Sequence, residues 1–93
     1  MTREQLSRAV ADVTAALAPH CLADDVAEER ARNLVQALAY SDATTREAQT
    51  AIVADILLTR CHEIREFWGA VRAAMKAYAR VAGGDASVVE VAT

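Results

Sequence analysis

Two pairs of metal-capable side chains, His20-Cys21 and Cys61-His62, are the first residues in this chain whose types could do chemistry. Imidazole nitrogen and thiolate sulfur are the ligands that zinc takes in tetrahedral sites. The spacing works against such a site: adjacent residues on a helix point about 100° apart, and none of the recognised Cys/His ligand spacings is present. Cys61 also falls on an apolar stripe, where a thiol behaves as a small hydrophobe. A Cys21–Cys61 disulfide is the other chemistry open to these residues, and a reducing compartment opposes it. His62 and Glu66 are one turn apart and could form an acid–base couple. No glycine-rich phosphate loop, nucleophile elbow or zincin helix accompanies them. The sequence therefore predicts no metal, no cofactor and no enzymatic activity.

A second set has the composition of a binding surface. Phe67, Trp68, Val71, Met75 and Tyr78 recur at helical spacing, and Leu57 and Ile64 continue the series upstream. Such a set is ordinarily core, but Trp and Tyr beside arginines are also what interface hot spots are made of. These seven residues are the predicted partner or dimer interface. Two charged surfaces accompany them. Asp24, Asp25, Glu28 and Glu29 cluster where a helix begins, and Arg65, Arg72, Lys76 and Arg80 mark one side of the stretch that carries the aromatics. The acids suit the positive end of a helix dipole, and an acidic patch also suits a basic partner. The bases read as a solvated face or as a footprint for phosphate.

The elements that must position these residues are helices. Thr2 with Gln5, Asp25 with Glu28 and Thr44 with Glu47 each match a capping box, and each precedes an apolar run. The first run, Leu6, Val10, Val13 and Leu17, ends at Pro19 and predicts a helix over Arg3 to Ala18 with an Arg8–Asp12 pair on its wet face. The second, Ala27, Ala31, Leu34, Val35 and Leu38, predicts a helix to Tyr40.

The third run is the longest. Ala54, Leu57, Cys61, Ile64, Trp68, Val71, Met75, Tyr78 and Ala82 form an unbroken heptad seam. It predicts one helix from Thr44 to Ala82, roughly 55 Å long at about 1.5 Å per residue. Gly69 permits close helix contact beside Trp68 or marks a kink, and a break there or slightly earlier would give a four-helix bundle in one chain. Ile52 to Leu58 is apolar nearly all round, which predicts burial on every side and a symmetry mate to provide part of it. Gly83-Gly84 predicts a left-handed helix stop. Residues 83–93 form a tail whose Ser87-Val88-Val89-Glu90-Val91 could extend a sheet edge or lie along the bundle. No internal repeat beyond the heptad is evident.

Composition agrees. The chain has 93 residues, is 54% hydrophobic and contains 22 alanines but four aromatic residues, so its apolar count overstates the surface it can bury. A second subunit is the ordinary remedy, and a homodimer is expected. Formal net charge is −3, with no general basic excess to drive phosphate binding. No apolar run of about 18 residues spans a membrane, and no leader precedes the first helix, so a cytoplasmic protein is expected.

The expected fold is all-α: a small bundle of two short helices and one long heptad-patterned helix in a single domain over residues 1–82, completed by dimerisation. The expected function is a small non-enzymatic protein–protein interaction module, an inhibitor or adaptor of a larger complex. In size, acidity and helix content the chain is similar to small bacterial or phage-encoded inhibitors and adaptors, a likeness of composition with no motif behind it. A nucleic-acid-associated transcriptional regulator using the basic side of the long helix is the alternative.

Overall fold

Thr2 starts the first helix as its sequence implies. Its hydroxyl accepts from the Gln5 N–H at 3.1 Å, and the Gln5 side chain accepts from the Thr2 N–H at 2.8 Å. In the computed structural model, which describes residues 2–83, helix α1 spans Arg3–Leu17 and buries Ala9, Val13 and Leu17. Pro19 lies within a 3-10 turn, Ala18–His20, where its missing N–H is tolerated. Helix α2, Asp24–Ala39, buries Ala27, Ala31, Leu34, Val35 and Leu38, the stripe read from the sequence, together with Val26 and Arg30. Its N-cap is Ala23, with no side-chain cap, so Asp25 and Glu28 do not form the expected box.

The second half of the chain departs from its pattern. The single long helix is two helices, α3 over Arg46–Leu58 and α4 over Phe67–Ala82, separated by a 3-10 turn at Cys61–Glu63. Among the described residues the fold is thus an all-α bundle of four helices, with a longest extent of 35 Å. Helix α3 is capped by Thr45, one residue later than expected, whose hydroxyl accepts from the Ala48 N–H at 3.1 Å. The break falls before Gly69, inside a stretch without glycine or proline.

Arg30 accounts for where α3 stops. It projects from α2 with its side chain only 11% exposed. One guanidinium nitrogen donates to the Ile56 carbonyl at 3.0 Å and to the Thr59 hydroxyl, so a cation occupies the negative end of the helix and satisfies one of its last carbonyls. A buried arginine reaching sideways in this way defines an end that a continuing helix would obliterate. The chain re-enters helix through Glu66, at φ 50° and ψ 65°. That left-handed conformation costs a non-glycine residue roughly 1–2 kcal/mol. Gly69 sits in the first turn of α4, and a Cβ there would meet His20 Cε1 at 3.2 Å. Its role is therefore close approach of the first connection to the second, and the helix does not kink there.

The two connections touch through a short antiparallel pairing of Cys21 with Ile64. The Leu22 N–H donates to the Glu63 carbonyl at 3.0 Å and the Arg65 N–H to the His20 carbonyl at 2.6 Å, a reciprocal arrangement with local two-fold character. It exposes a repeat that the apolar pattern hides. Cys21 and Ile64 are 43 positions apart, as are the capping threonines Thr2 and Thr45 and the tripeptides Val10-Ala11-Asp12 and Val53-Ala54-Asp55. The same shift relates buried α2 residues Ala27, Ala31, Leu34, Val35 and Leu38 to buried α4 residues Ala70, Ala74, Ala77, Tyr78 and Val81. Each half is a helix, a 3-10 turn, a paired residue and a second helix.

Small side chains let these halves close. Ala9 of α1 and Ala70, Ala74 and Ala77 of α4 are at most 3% exposed, and α1 packs most extensively on α4 and α2. Helix α3 is the least embraced. Val53 and Leu57 are buried, but Ile52, Ala54 and Ile56 are half-buried and Leu58 is 53% exposed, so the expected burial on every side does not occur among the described residues. Gly83 closes α4 by donating to the Ala79 carbonyl at 2.9 Å, with φ −112° in place of the expected left-handed conformation. The strand-like tail segment, Ser87 to Val91, lies outside the described residues.

Replacing Arg30 with alanine removes charge-assisted hydrogen bonds worth about 1.5–3 kcal/mol. Arg30→Ala is expected to lower unfolding free energy in urea by about 2 kcal/mol and to speed hydrogen exchange at the Thr59 and Arg60 amides, which close the end of α3. An unchanged exchange pattern would show that α3 ends without its help.

Candidate functional site

The seven residues of the predicted interface separate into two groups once the helices are in place. Leu57, Ile64, Val71 and Tyr78, one position of the heptad, are 0–9% exposed and belong to the chain's own core. Burial pushes the Tyr78 hydroxyl pKa above its ordinary value. Phe67 and Met75 are half-buried at the edge of that core. Trp68, the chain's single tryptophan, is 59% exposed.

Trp68 is the second residue of α4, and its ring meets that of Phe67 edge to face, 5.1 Å between centroids at 87°. This geometry suits the aromatic quadrupoles and holds the indole outward while Phe67 packs inward. On one side of the indole is a groove of about 640 Å³ between α3 and α4. Val71, Met75 and Ala79 contribute apolar surface from α4, and Arg46, Gln49 and Thr50 face them from α3. The Thr50 hydroxyl donates to the Arg46 carbonyl at 2.7 Å and lies 3.1 Å from the Met75 sulfur, joining the two walls. On the other side of Trp68 is a shallower hollow of about 400 Å³ lined by Ala51, Ala54 and Glu47. Exposed Leu58 lies one turn beyond Ala54 on the same helix face. Trp68, Arg46 and Thr50 line both hollows.

Arg46, Arg72 and Lys76 edge the larger groove. None of them is in an ion pair among the described residues, and neither are Arg65 and Arg80. The chain's ion pairs lie elsewhere. Glu28 pairs with Arg32 at 2.7 Å. Glu29 is shared by Arg30 at 2.9 Å and Arg60 at 2.8 Å, and Arg60 also grips Glu63 with two hydrogen bonds. The expected Arg8–Asp12 pair is not made. Of the predicted acidic surface, Asp24 and Asp25 stand exposed in the first turn of α2, whereas Glu28 and Glu29 are engaged within the chain. Of the predicted basic surface, Arg72, Lys76 and Arg80 follow one another on successive turns of α4, and Arg65 precedes that helix in the connection.

The residues singled out for metal or redox chemistry are dispersed. Among the described residues no three of His, Cys, Asp and Glu gather in a way that could hold a metal ion. Cys21 is buried in the pairing between connections, and desolvation raises its thiol pKa above the ordinary value; Cys61 is exposed, and both are free thiols. His20 donates from Nδ1 to the Arg65 carbonyl at 3.2 Å, a structural contact. His62 and Glu66 are both exposed.

Two contributors were missed in the sequence. Arg30 occupies the apolar stripe of α2, between Ala27 and Leu34, and a charge at a core position was a readable signal of a buried partner. Arg46 had no such signal, because its place on the groove depends on the break between α3 and α4. Comparison with protein-family models, curated proteins and solved structures finds no match to this chain.

The Glu29, Glu63, Arg30 and Arg60 cluster fixes the corner from which α4 departs. Hydrogen bonds from Arg60, and for Glu29 also from Arg30, hold both carboxyl pKa values below the ordinary 4.5. A folded-state pKa below the unfolded one contributes stability that is full above the unfolded value and is lost as pH falls through the folded one. Stability in urea is therefore expected to fall as pH is lowered from about 5 toward 3. The Glu29→Gln/Glu63→Gln double variant should be less stable at pH 7 and show a shallower acid decline. Parallel pH profiles for the two proteins would remove this cluster from the explanation.

Proposed function

We propose that this chain is a non-enzymatic protein-interaction module that acts through the α3–α4 face, as an inhibitor or adaptor that occupies a surface of a larger complex. The observation that carries the reading is the placement of Trp68. A tryptophan left 59% exposed between two hollows, with unpaired cations beside it, is a desolvatable anchor of the kind that dominates interface energetics. Its neighbours support binding over catalysis. Among the described residues the larger groove is lined by cations, amide, hydroxyl and apolar groups, and the carboxylate of Glu47 lines the adjoining hollow.

A self-contained core supports the same view. Leu57, Ile64, Val71 and Tyr78 are committed within the chain, so a second copy or a different protein would meet Trp68, Leu58 and the outer edge of Met75. A nucleic-acid-associated regulator is the second reading, favoured by Arg72, Lys76 and Arg80 on successive turns of α4 with no ion pair among the described residues. Phosphate binding of that kind falls steeply with salt.

Immobilised wild type and Trp68→Ala compared in nuclease-treated cell extract test the first reading. The expected result is a discrete set of proteins held by wild type and by an Arg8→Ala control and lost by Trp68→Ala, while the variant's unfolding free energy changes by less than about 1.5 kcal/mol, the scale of its aromatic contact. Identical sets would overturn the reading. Tight binding of a labelled DNA duplex at low salt, abolished by Arg72→Glu/Lys76→Glu and weakening steeply with added salt, would replace it with the second.

A further inference from the structure

The groove itself restricts what can lie in it. Both walls are helices, whose backbone N–H and C=O groups beyond the terminal turns are bonded within α3 and α4. An extended segment laid between them would find no strand edge to pair with, and its own backbone polar groups would be covered without partners. A helix satisfies its backbone internally and offers side chains at the spacing that the groove presents. Trp68 and Met75 are two turns apart on α4, about 10 Å at about 1.5 Å per residue, with Val71 between them at the floor. Apolar residues at i, i+4 and i+7 of an opposing helix match that span.

Charge restricts the occupant further. Arg46, Arg72 and Lys76 edge the groove and Arg80 follows on the next turn; none is neutralised among the described residues. From Phe67 to Ala82 helix α4 contains no aspartate or glutamate. On a chain of formal net charge −3, this is a local positive field that draws an acidic partner and repels a basic one. The chain's own acidic helix start is a poor occupant, because the exposed face of α2 carries Asp25, Glu28, Arg32 and Gln36 and no apolar anchor.

We propose that the α3–α4 groove receives an acidic amphipathic helix of a partner protein, with apolar side chains against Trp68, Met75 and Ala79 and carboxylates against Arg46, Arg72 and Lys76. The proposal rests on the protein-interaction reading above and names the chemistry of the partner.

The single tryptophan makes the groove its own reporter. The full chain is titrated with a synthetic helix of about 18 residues, five turns, carrying leucines on one face and glutamates elsewhere. A second peptide keeps the leucines and replaces every glutamate with lysine. The glutamate peptide is expected to shift Trp68 emission to the blue and saturate, with affinity falling about tenfold or more between low and high salt. The lysine peptide should produce no shift, and Arg72→Glu/Lys76→Glu should reverse the preference.

Equal response to both peptides would overturn the proposal. So would a blue shift that appears on concentrating the protein alone, which would assign the groove to a second copy. A red shift in Asp85→Lys/Glu90→Lys without any peptide would also overturn it, assigning the groove to residues 84–93. If neither peptide moves Trp68 while Trp68→Ala still loses its proteins from extract, the partner chemistry is wrong and the interaction reading stands. If Trp68→Ala loses nothing, both fall.

Discussion

A guanidinium inside the bundle decides the shape of this protein. Arg30 leaves α2 among alanines and leucines and ends at the C-terminal end of α3, where the Ile56 carbonyl and the Thr59 hydroxyl accept its hydrogen bonds. A charge so enclosed must be compensated, since an unpaired one costs several kcal/mol. The compensation is a helix terminus, and that requires the terminus to stay where it is. Glu29 completes the arrangement by binding Arg30 on one side and Arg60 on the other, and Arg60 holds Glu63 in the following turn. The connection from Thr59 to Glu66 is therefore anchored to α2 as well as to the helices it joins.

The rest of the architecture follows from that anchored corner. With α3 ended, Ile64 pairs with Cys21, and α4 starts beside the first connection, where Gly69 leaves space for the His20 ring. The strained backbone of Glu66 is tolerated because both of its neighbours are fixed: Arg65 by His20 and Phe67 by the core. The two halves are not identical. Helix α1 ends at Leu17, with three residues before Cys21, whereas α3 ends at Leu58, with five before Ile64, and the shift of 43 carries buried Val13 and Leu17 onto Ile56 and Arg60, which are only half-buried. Helix α1 is gripped by both α2 and α4, and α3 stands at the margin. The groove is the gap that this looser seat leaves, bridged by the Thr50 and Met75 side chains.

How much of this could be read in the sequence depended on whether the signal was local. Helix α1, its threonine cap and the stripe of α2 were legible, because each rests on residues three or four apart. The heptad spacing of Leu57, Ile64, Val71 and Tyr78 was legible too, but not that the chain's own core takes these residues, and the continuity they implied was not real. Their seven-residue phase survives the break, so periodicity cannot distinguish one long helix from two that face the same core. No glycine or proline marks the interruption, and a glutamate occupies the left-handed position where glycine would have announced it. The side chain that meets the end of α3 is Arg30, more than twenty residues upstream. The repeat was hidden for a related reason: two alanines, two leucines and a valine of α2 answer to three alanines, a tyrosine and a valine of α4, and what is shared is the buried position more than the side chain.

The unpaired cations of the groove come from the same distribution of charge. Helix α2 carries acids and bases close enough to pair with each other and with the corner, and Glu28, Glu29 and Glu63 are all engaged there. Helix α4 has Arg72, Lys76 and Arg80 and no acid at i±3 or i±4 to meet them. Helix α3 brings Arg46 to the opposite wall because its cap is Thr45, which makes Arg46 the first helical residue. Folding thus separates an acidic chain into a neutralised corner and a positive groove. The corner holds α4 at the angle that exposes Trp68, and the groove is left with charge that nothing among the described residues cancels. A partner that supplied carboxylates there would gain in attraction what the chain itself leaves unused, and the apolar floor beneath Trp68 would turn that attraction into a seated complex.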